Sequence, residues 1–138
     1  MTSEKVAIEA DIQAPVETIW RCWTAPEHMV QWNFASDDWR CPSAENDLRV
    51  GGRCRSRMEA KDGSFGFDME YVYDEVLPQQ KLSYTLTDGR TVQTRFESVG
   101  GATRVSTLFD PEKQNPAEMQ QAGWQAILNN FKAYVERQ

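Results

Sequence analysis

Hydrophobic and polar residues alternate along most of this chain, and in two regions the alternation gives way to a helical period. In "KVAIEADI", Val6, Ile8, Ala10 and Ile12 share one face while Glu9 and Asp11 share the other. That is the period of a half-buried strand. "APVETIWRCW" changes period: Ile19, Trp20 and Trp23 form the apolar stripe of an amphipathic helix. Pro15 suits a first helical position and Glu17 the first turn, where a carboxylate meets the positive end of the helix dipole. "TAPEHMVQW" repeats the device with Pro26 and Glu27, so two short helices are predicted with a break at Thr24–Ala25. Residues 33–46 read as polar and irregular, apart from Trp39.

Alternation returns after "DLRVGG". Cys54, Ser56 and Met58 alternate with arginines, and the pair Gly51–Gly52 signals a turn or strand edge. "KDG" at 61–63 and "DG" at 88–89 are hairpin-turn signals. Between the turns, Phe65, Phe67, Met69, Tyr71 and Tyr73 share a face, as do Leu82, Tyr84 and Leu86, and then Val92, Thr94 and Phe96. "GGA" turns once more before "TRVSTLF". Residues 47–109 are therefore predicted to form a meander of consecutive antiparallel strands.

The last segment is helical. Asn115 is a candidate N-cap, with Pro116 at the first position and Glu118 at the third. Met119, Ala122, Gly123, Ala126, Ile127 and Phe131 recur at helical spacing, and Trp124, Leu128 and Val135 widen the stripe. So wide an apolar face needs a sheet to cover it. Gly123 costs such a helix about 1 kcal/mol relative to alanine. The expectation is that it marks a close approach of strand side chains, with Trp124 closing the wider space beside it, so that Gly123→Leu overpacks the site. One strand, two helices, a meander and one long helix make a single α+β domain over residues 1–138.

Composition narrows the function classes. The chain has 138 residues, 40% hydrophobic and 26% charged, with a mean hydropathy of -0.66, which describes a soluble globular protein. No apolar run approaches the roughly 20 residues that span a bilayer, so membrane insertion is not expected. "MTSEKVAIEADI" lacks a basic region followed by an apolar stretch, and no signal peptide is expected. A net charge of -6 and a pI near 4.8 argue against nucleic-acid binding. The local run Arg49, Arg53, Arg55 and Arg57 reads as a solvated strand face. Three cysteines without CxxC spacing suit reduced thiols in a cytoplasmic protein. The single histidine, His28, reads as a helix-surface residue and cannot make a zinc site. No metal or redox cofactor is expected.

The order of these elements, with "APVETIWRCWTAPEHMVQW", "DLRVGGRCR", "LPQQKLSYT" and "AGWQAILNNFKAYV", resembles the START-like (SRPBCC) superfamily. More narrowly, the chain is similar to bacterial homologues of the C-terminal domain of the activator of heat shock protein 90 ATPase. The resemblance spans about residues 5 to 136. It implies a helix-grip fold, a curved antiparallel sheet wrapped around the long C-terminal helix, with the two short helices closing one end. It also implies a cavity between sheet and helix. Family members include small-molecule binders and polyketide cyclases or aromatases, and the eponymous domain binds a chaperone.

Four groups of residues are candidates for function. Phe67, Met69, Tyr71, Tyr84, Phe96, Trp124, Ile127 and Phe131 either line a ligand cavity or interlock as ordinary core. Asp47 and Arg49 flank Leu48 and form either a site at the cavity mouth or a solvated ion pair. Asp68, Glu70 and Asp74 are candidate acids or bases that alternate away from the aromatic face, toward solvent. Trp32, Phe34 and Trp39 form a partner surface or lid, or else cap the core. The expected function is non-covalent binding of a hydrophobic or aromatic small molecule by a monomer or homodimer. The alternatives are a protein-interaction module of the chaperone-activator kind, or a cyclase-like or hydrolase enzyme.

Overall fold

Strict alternation in "VAIEADI" produces β1 (Val6–Ile12), which buries Ile8 and Ile12 against the core. The computed structural model describes residues 5–137. Residues 1–4, which begin the stretch read for a signal peptide, and residue 138 lie outside the described residues. After β1 come α1 (Val16–Thr24), α2 (Pro26–Trp32), β2 (Trp39–Asn46), β3 (Arg53–Ala60) and β4 (Gly66–Leu77). Then follow β5 (Lys81–Leu86), β6 (Thr91–Val99), β7 (Ala102–Phe109) and α3 (Ala117–Glu136). The strands make one seven-stranded antiparallel sheet in the order β1-β7-β6-β5-β4-β3-β2. Each strand from β2 to β7 pairs with its neighbour in sequence, and β1 returns to β7 with Val6 opposite Phe109. The curled sheet grips α3, and α1 and α2 close one end, which is the helix-grip α+β fold.

The inward faces are those that the alternation picks out. Leu82, Tyr84 and Leu86 on β5, Val92, Thr94 and Phe96 on β6, and Val105 and Phe109 on β7 are all buried. From the helices, Ile19, Cys22, Met29, Trp32, Leu128, Phe131 and Val135 complete the core. Each fully buried large apolar side chain contributes roughly 1.5–3 kcal/mol. Trp32 also donates its indole N–H to the Cys22 carbonyl at 2.9 Å, which joins α2 to α1.

The two sheet edges are β1 and β2. On β1, two α3 glutamines reach across: Gln121 Nε2 donates to the Ala7 carbonyl at 2.9 Å and Gln125 Nε2 to the Glu9 carbonyl at 3.1 Å. These two carbonyls are thereby withdrawn from pairing with another strand. The other edge is β2, over residues whose polar, aperiodic sequence predicts irregular chain. Pro42, which has no N–H to give, sits at a bulge between Arg40 and Ser43. The bulge shifts the inward positions by one, from Trp39 and Cys41 to Ala44 and Asn46. No single alternation runs through the segment, and an edge strand tolerates such a proline.

Three local expectations are corrected. Pro116, not Asn115, is the N-cap of α3, and the Asn115 amide donates instead to the Glu112 carboxylate. His28 is not a free surface residue, because its Nδ1 lies 2.6 Å from the Tyr134 hydroxyl and so ties α2 to α3. Gly123 is not a point of close approach: a Cβ built there meets nothing within 4 Å beyond its own helix. The sheet curls away from α3 at this level instead of pressing on it.

A cavity between sheet and helix

The space in front of Gly123 is part of a cavity of about 470 Å³ between the inner face of the sheet and α3. The sheet contributes Ser56 and Met58 from β3, Phe67, Met69 and Tyr71 from β4, Tyr84 from β5 and Thr107 from β7. Along the helix, Met119, Gly123, Trp124, Ile127 and Leu128 face it. Trp23, Met29 and Trp32 from α1 and α2 close one end. Arg90 in the β5–β6 turn, Glu112 and Asn115 in the β7–α3 loop, and Gln120 supply a polar rim.

Stacked rings stiffen the wall. Tyr71 and Tyr84 stack with centroids 3.9 Å apart and planes 22° apart. Trp124 stacks on Phe109 at 3.9 Å and 9°, which pins the indole at the helix–sheet junction. Burial pushes the Tyr71 and Tyr84 hydroxyls above the usual tyrosine range, and the nearby Cys54 thiol adds to the shift at both. Both rings therefore keep their protons at neutral pH and act as hydrogen-bond partners, not as bases. Tyr73, one step along β4, turns toward β2. Its hydroxyl donates to Asn46 Oδ1 at 2.8 Å, and Asn46 Nδ2 donates to the Thr24 carbonyl at 2.7 Å. Thr94 and Thr107 bond through their hydroxyls at 2.9 Å beneath the sheet wall.

Of the eight expected site residues, Phe67, Met69, Tyr71, Tyr84, Trp124 and Ile127 line the cavity. Phe96 and Phe131 lie in the sealed core instead. Phe96 packs edge-on to Trp20 and Trp23, and Phe131 packs against Trp23 and Trp32 at 5.0 and 4.7 Å. The tryptophans of α1 and α2 cover both phenylalanines and themselves form the cavity's end. Trp23 and Met58 carried a detectable signal, since both sit on predicted inward faces. Arg90 and Glu112 carried none, because they lie in loops without periodicity.

The other candidates lie elsewhere. Asp47 and Arg49 make an exposed ion pair at 2.9 Å, away from the cavity wall. The neighbouring Gly52 serves the backbone: a Cβ there would fall 2.1 Å from the Asp47 carbonyl oxygen. Asp68 pairs with Arg57, and Asp74 accepts from Thr85 Oγ1 at 2.6 Å, both outside the cavity. Trp32, Phe34 and Trp39 do not form one cluster. Trp32 is buried in the cavity end, whereas Trp39 meets Phe65 and Phe67 at 5.9 and 6.1 Å in a trio at the far end of β2–β4, where Phe67 also lines the cavity. Among the described residues, no group of three or more His, Cys, Asp or Glu side chains could hold a metal ion. No helix of the described residues is long and apolar enough to cross a membrane.

The family described as Activator of Hsp90 ATPase homolog 1-like protein matches residues 13–136. The chain belongs to this family. The family is part of the START-like (SRPBCC) helix-grip superfamily, in agreement with the sheet order and gripped helix described above. The solution structure of the AHSA1-like protein from Aeromonas hydrophila is 44% identical, with a TM-score of 0.91, and the match covers 96% of this chain and 92% of that one. A protein from Cytophaga hutchinsonii is 45% identical over 96% of this chain and 92% of its own, with a TM-score of 0.84. A Nitrosomonas europaea protein shares the fold at 17% identity and a TM-score of 0.83, over 97% of this chain and 95% of its own. No curated protein matches the chain.

Proposed function

We propose that this AHSA1-like chain binds a hydrophobic, aromatic small molecule non-covalently between its sheet and α3. The observation that carries the reading is the cavity of about 470 Å³ with its wall of aromatic and methionine side chains. That size lies within the ordinary range of ligand pockets. Burying about 200 Å² of ligand apolar surface would contribute roughly 5 kcal/mol before the entropy of binding is subtracted. Ring–ring and sulfur–ring contacts add to that. The neutral hydroxyls of Tyr71 and Tyr84 supply orientation without chemistry. The test is native mass spectrometry of protein purified from its own source, together with thermal shift across a library of aromatic and lipid compounds. A retained small mass or a saturable shift is expected. No retained mass and no shift across the library would overturn the reading.

A protein-interaction role is the second reading, and the partly exposed trio of Trp39, Phe65 and Phe67 favours it. Phe65 is 60% exposed and Phe67 42% exposed, an unusual investment of rings at a sheet end. On this reading, titration of an Hsp90-type chaperone by calorimetry gives a signal that Phe65→Ser abolishes, while thermal shifts by cavity ligands persist in the variant.

A further inference from the structure

We propose that the cavity's ligand is an aromatic acid whose anionic group is held by Arg90 while its ring lies deeper, against Trp124 and the methionines. The inference rests on the small-molecule reading above and deepens it by naming the ligand's charge and its anchor.

Among the described residues, Arg90 is the one basic residue in the cavity wall and Glu112 the one acidic residue. The two are not equivalent. The Glu112 carboxylate already accepts from the Asn115 amide, and its backbone N–H and carbonyl are both bound by the Gln120 side chain. Its loop therefore occupies it. Arg90 is fixed at its root and free at its tip. Its backbone carbonyl accepts from Leu86, its backbone N–H donates to Asp88 Oδ1 at 3.1 Å, and its Nε donates to Asp88 Oδ2 at 2.7 Å. Among the described residues no acceptor engages its two Nη groups. The side chain is only 26% exposed, so much of it is turned in against the rim. A guanidinium with its Nη donors open presents the fork that matches a carboxylate. Partial burial at the rim strengthens that pair relative to water. With a net charge of -6 the chain as a whole repels anions, so a preference for acids must be local.

The body of the ligand follows from the wall. Six aromatic side chains line the cavity, and so do all four methionines of the described residues: Met29, Met58, Met69 and Met119. Methionine is unbranched and polarizable, so it fits itself to ring edges and faces. Among the described residues, the branched aliphatic side chains in the wall are Ile127 and Leu128. That balance selects flat rings over flexible acyl chains.

The experiment compares 2-naphthoate, its neutral counterpart 2-naphthylmethanol, the cationic 2-naphthylmethylamine and decanoate, by thermal shift and by quenching of tryptophan fluorescence. Wild type is expected to bind naphthoate roughly tenfold or more tightly than the alcohol, the usual gain from a charge-assisted bond. Arg90→Gln should bring the naphthoate affinity down to that of the alcohol, and a cooperative urea transition shows that the variant is folded. Arg90→Lys should keep part of the preference, and Glu112→Gln should leave or increase it. Preference for the amine or for decanoate overturns the proposal, as does an acid preference that survives Arg90→Gln. If the alcohol binds but naphthoate binds no better, the proposal fails while the small-molecule reading stands. If no probe binds at all, both fail.

Discussion

Gly123 offers the sharpest check on the geometry, because the sequence and the structure point in opposite directions there. A close contact with the sheet would make any side chain at this position destabilising, by about 1–3 kcal/mol for a leucine. In the structure an added Cβ meets nothing within 4 Å and enters the cavity. Gly123→Ala should then act only on the helix. Replacing an interior glycine by alanine is worth about 0.8–1.0 kcal/mol, and for a domain of this size that raises Tm by roughly 2–5 °C. Urea denaturation should show the midpoint rising with an unchanged slope, since the surface exposed on unfolding hardly changes. Gly123→Leu should also fold, and should weaken any ligand that fills the cavity because its side chain takes that space. A stable protein that binds less is the expected pair of results. If Gly123→Ala lost 1 kcal/mol or more, the cavity would be closed at this level and the argument for a ligand site on α3 would collapse.

Other outcomes follow from the same contacts. Phe131, fully buried between Trp23 and Trp32, should cost about 3–5 kcal/mol when cut to alanine, read as a large drop in urea midpoint; a loss under 1 kcal/mol would contradict the sealed core. The Lys5 ammonium, with the Thr91 N–H, holds the Asp110 carboxyl down to about 2. A depressed carboxyl stabilises the fold above its unfolded pKa and loses that contribution as pH falls toward the folded one. Asp110→Asn should therefore cost about 1 kcal/mol at pH 7 after screening, shrinking between roughly pH 4 and pH 2; a penalty that does not vary with pH across that window would refute the pairing. Burial pushes the Cys41 thiol up to about 11 and raises Cys22 and Cys54 as well. All three should react with Ellman's reagent at pH 8 far more slowly in the native state than in urea, and a thiol labelled within seconds would show one of them to be accessible.

Much of this protein is legible in its chain because strand and helix faces are local properties. Alternation along "VAIEADI", "KLSYTL" and "TVQTRF" names the buried side chains of β1, β5 and β6 without any knowledge of their partners. The turn residues that separate the strands order the meander, and the wide stripe on the last helix demands a sheet. Together with the motifs shared with the family, these features determine the helix-grip architecture. Six of the eight expected cavity residues follow from the same periodicity.

Periodicity says which way a side chain points, however, and not whether another surface meets it. Phe96 and Phe131 point inward as Tyr84 and Ile127 do, yet the tryptophans of α1 seal the first pair while the second pair faces open space. That difference depends on where segments about a hundred residues apart come to rest. The same holds at Arg90, whose loop position carries no pattern and whose place on the rim comes from the β5–β6 turn meeting the β7–α3 loop through Thr91 and Asp110. β2 was hidden because a proline and a bulge break its alternation, which only pairing with β3 repairs. Gly123 combines both lessons. Its helix propensity is a local anomaly that the sequence displays openly, but its meaning, space left for a ligand, exists only because the curled sheet stands off from the helix at that turn.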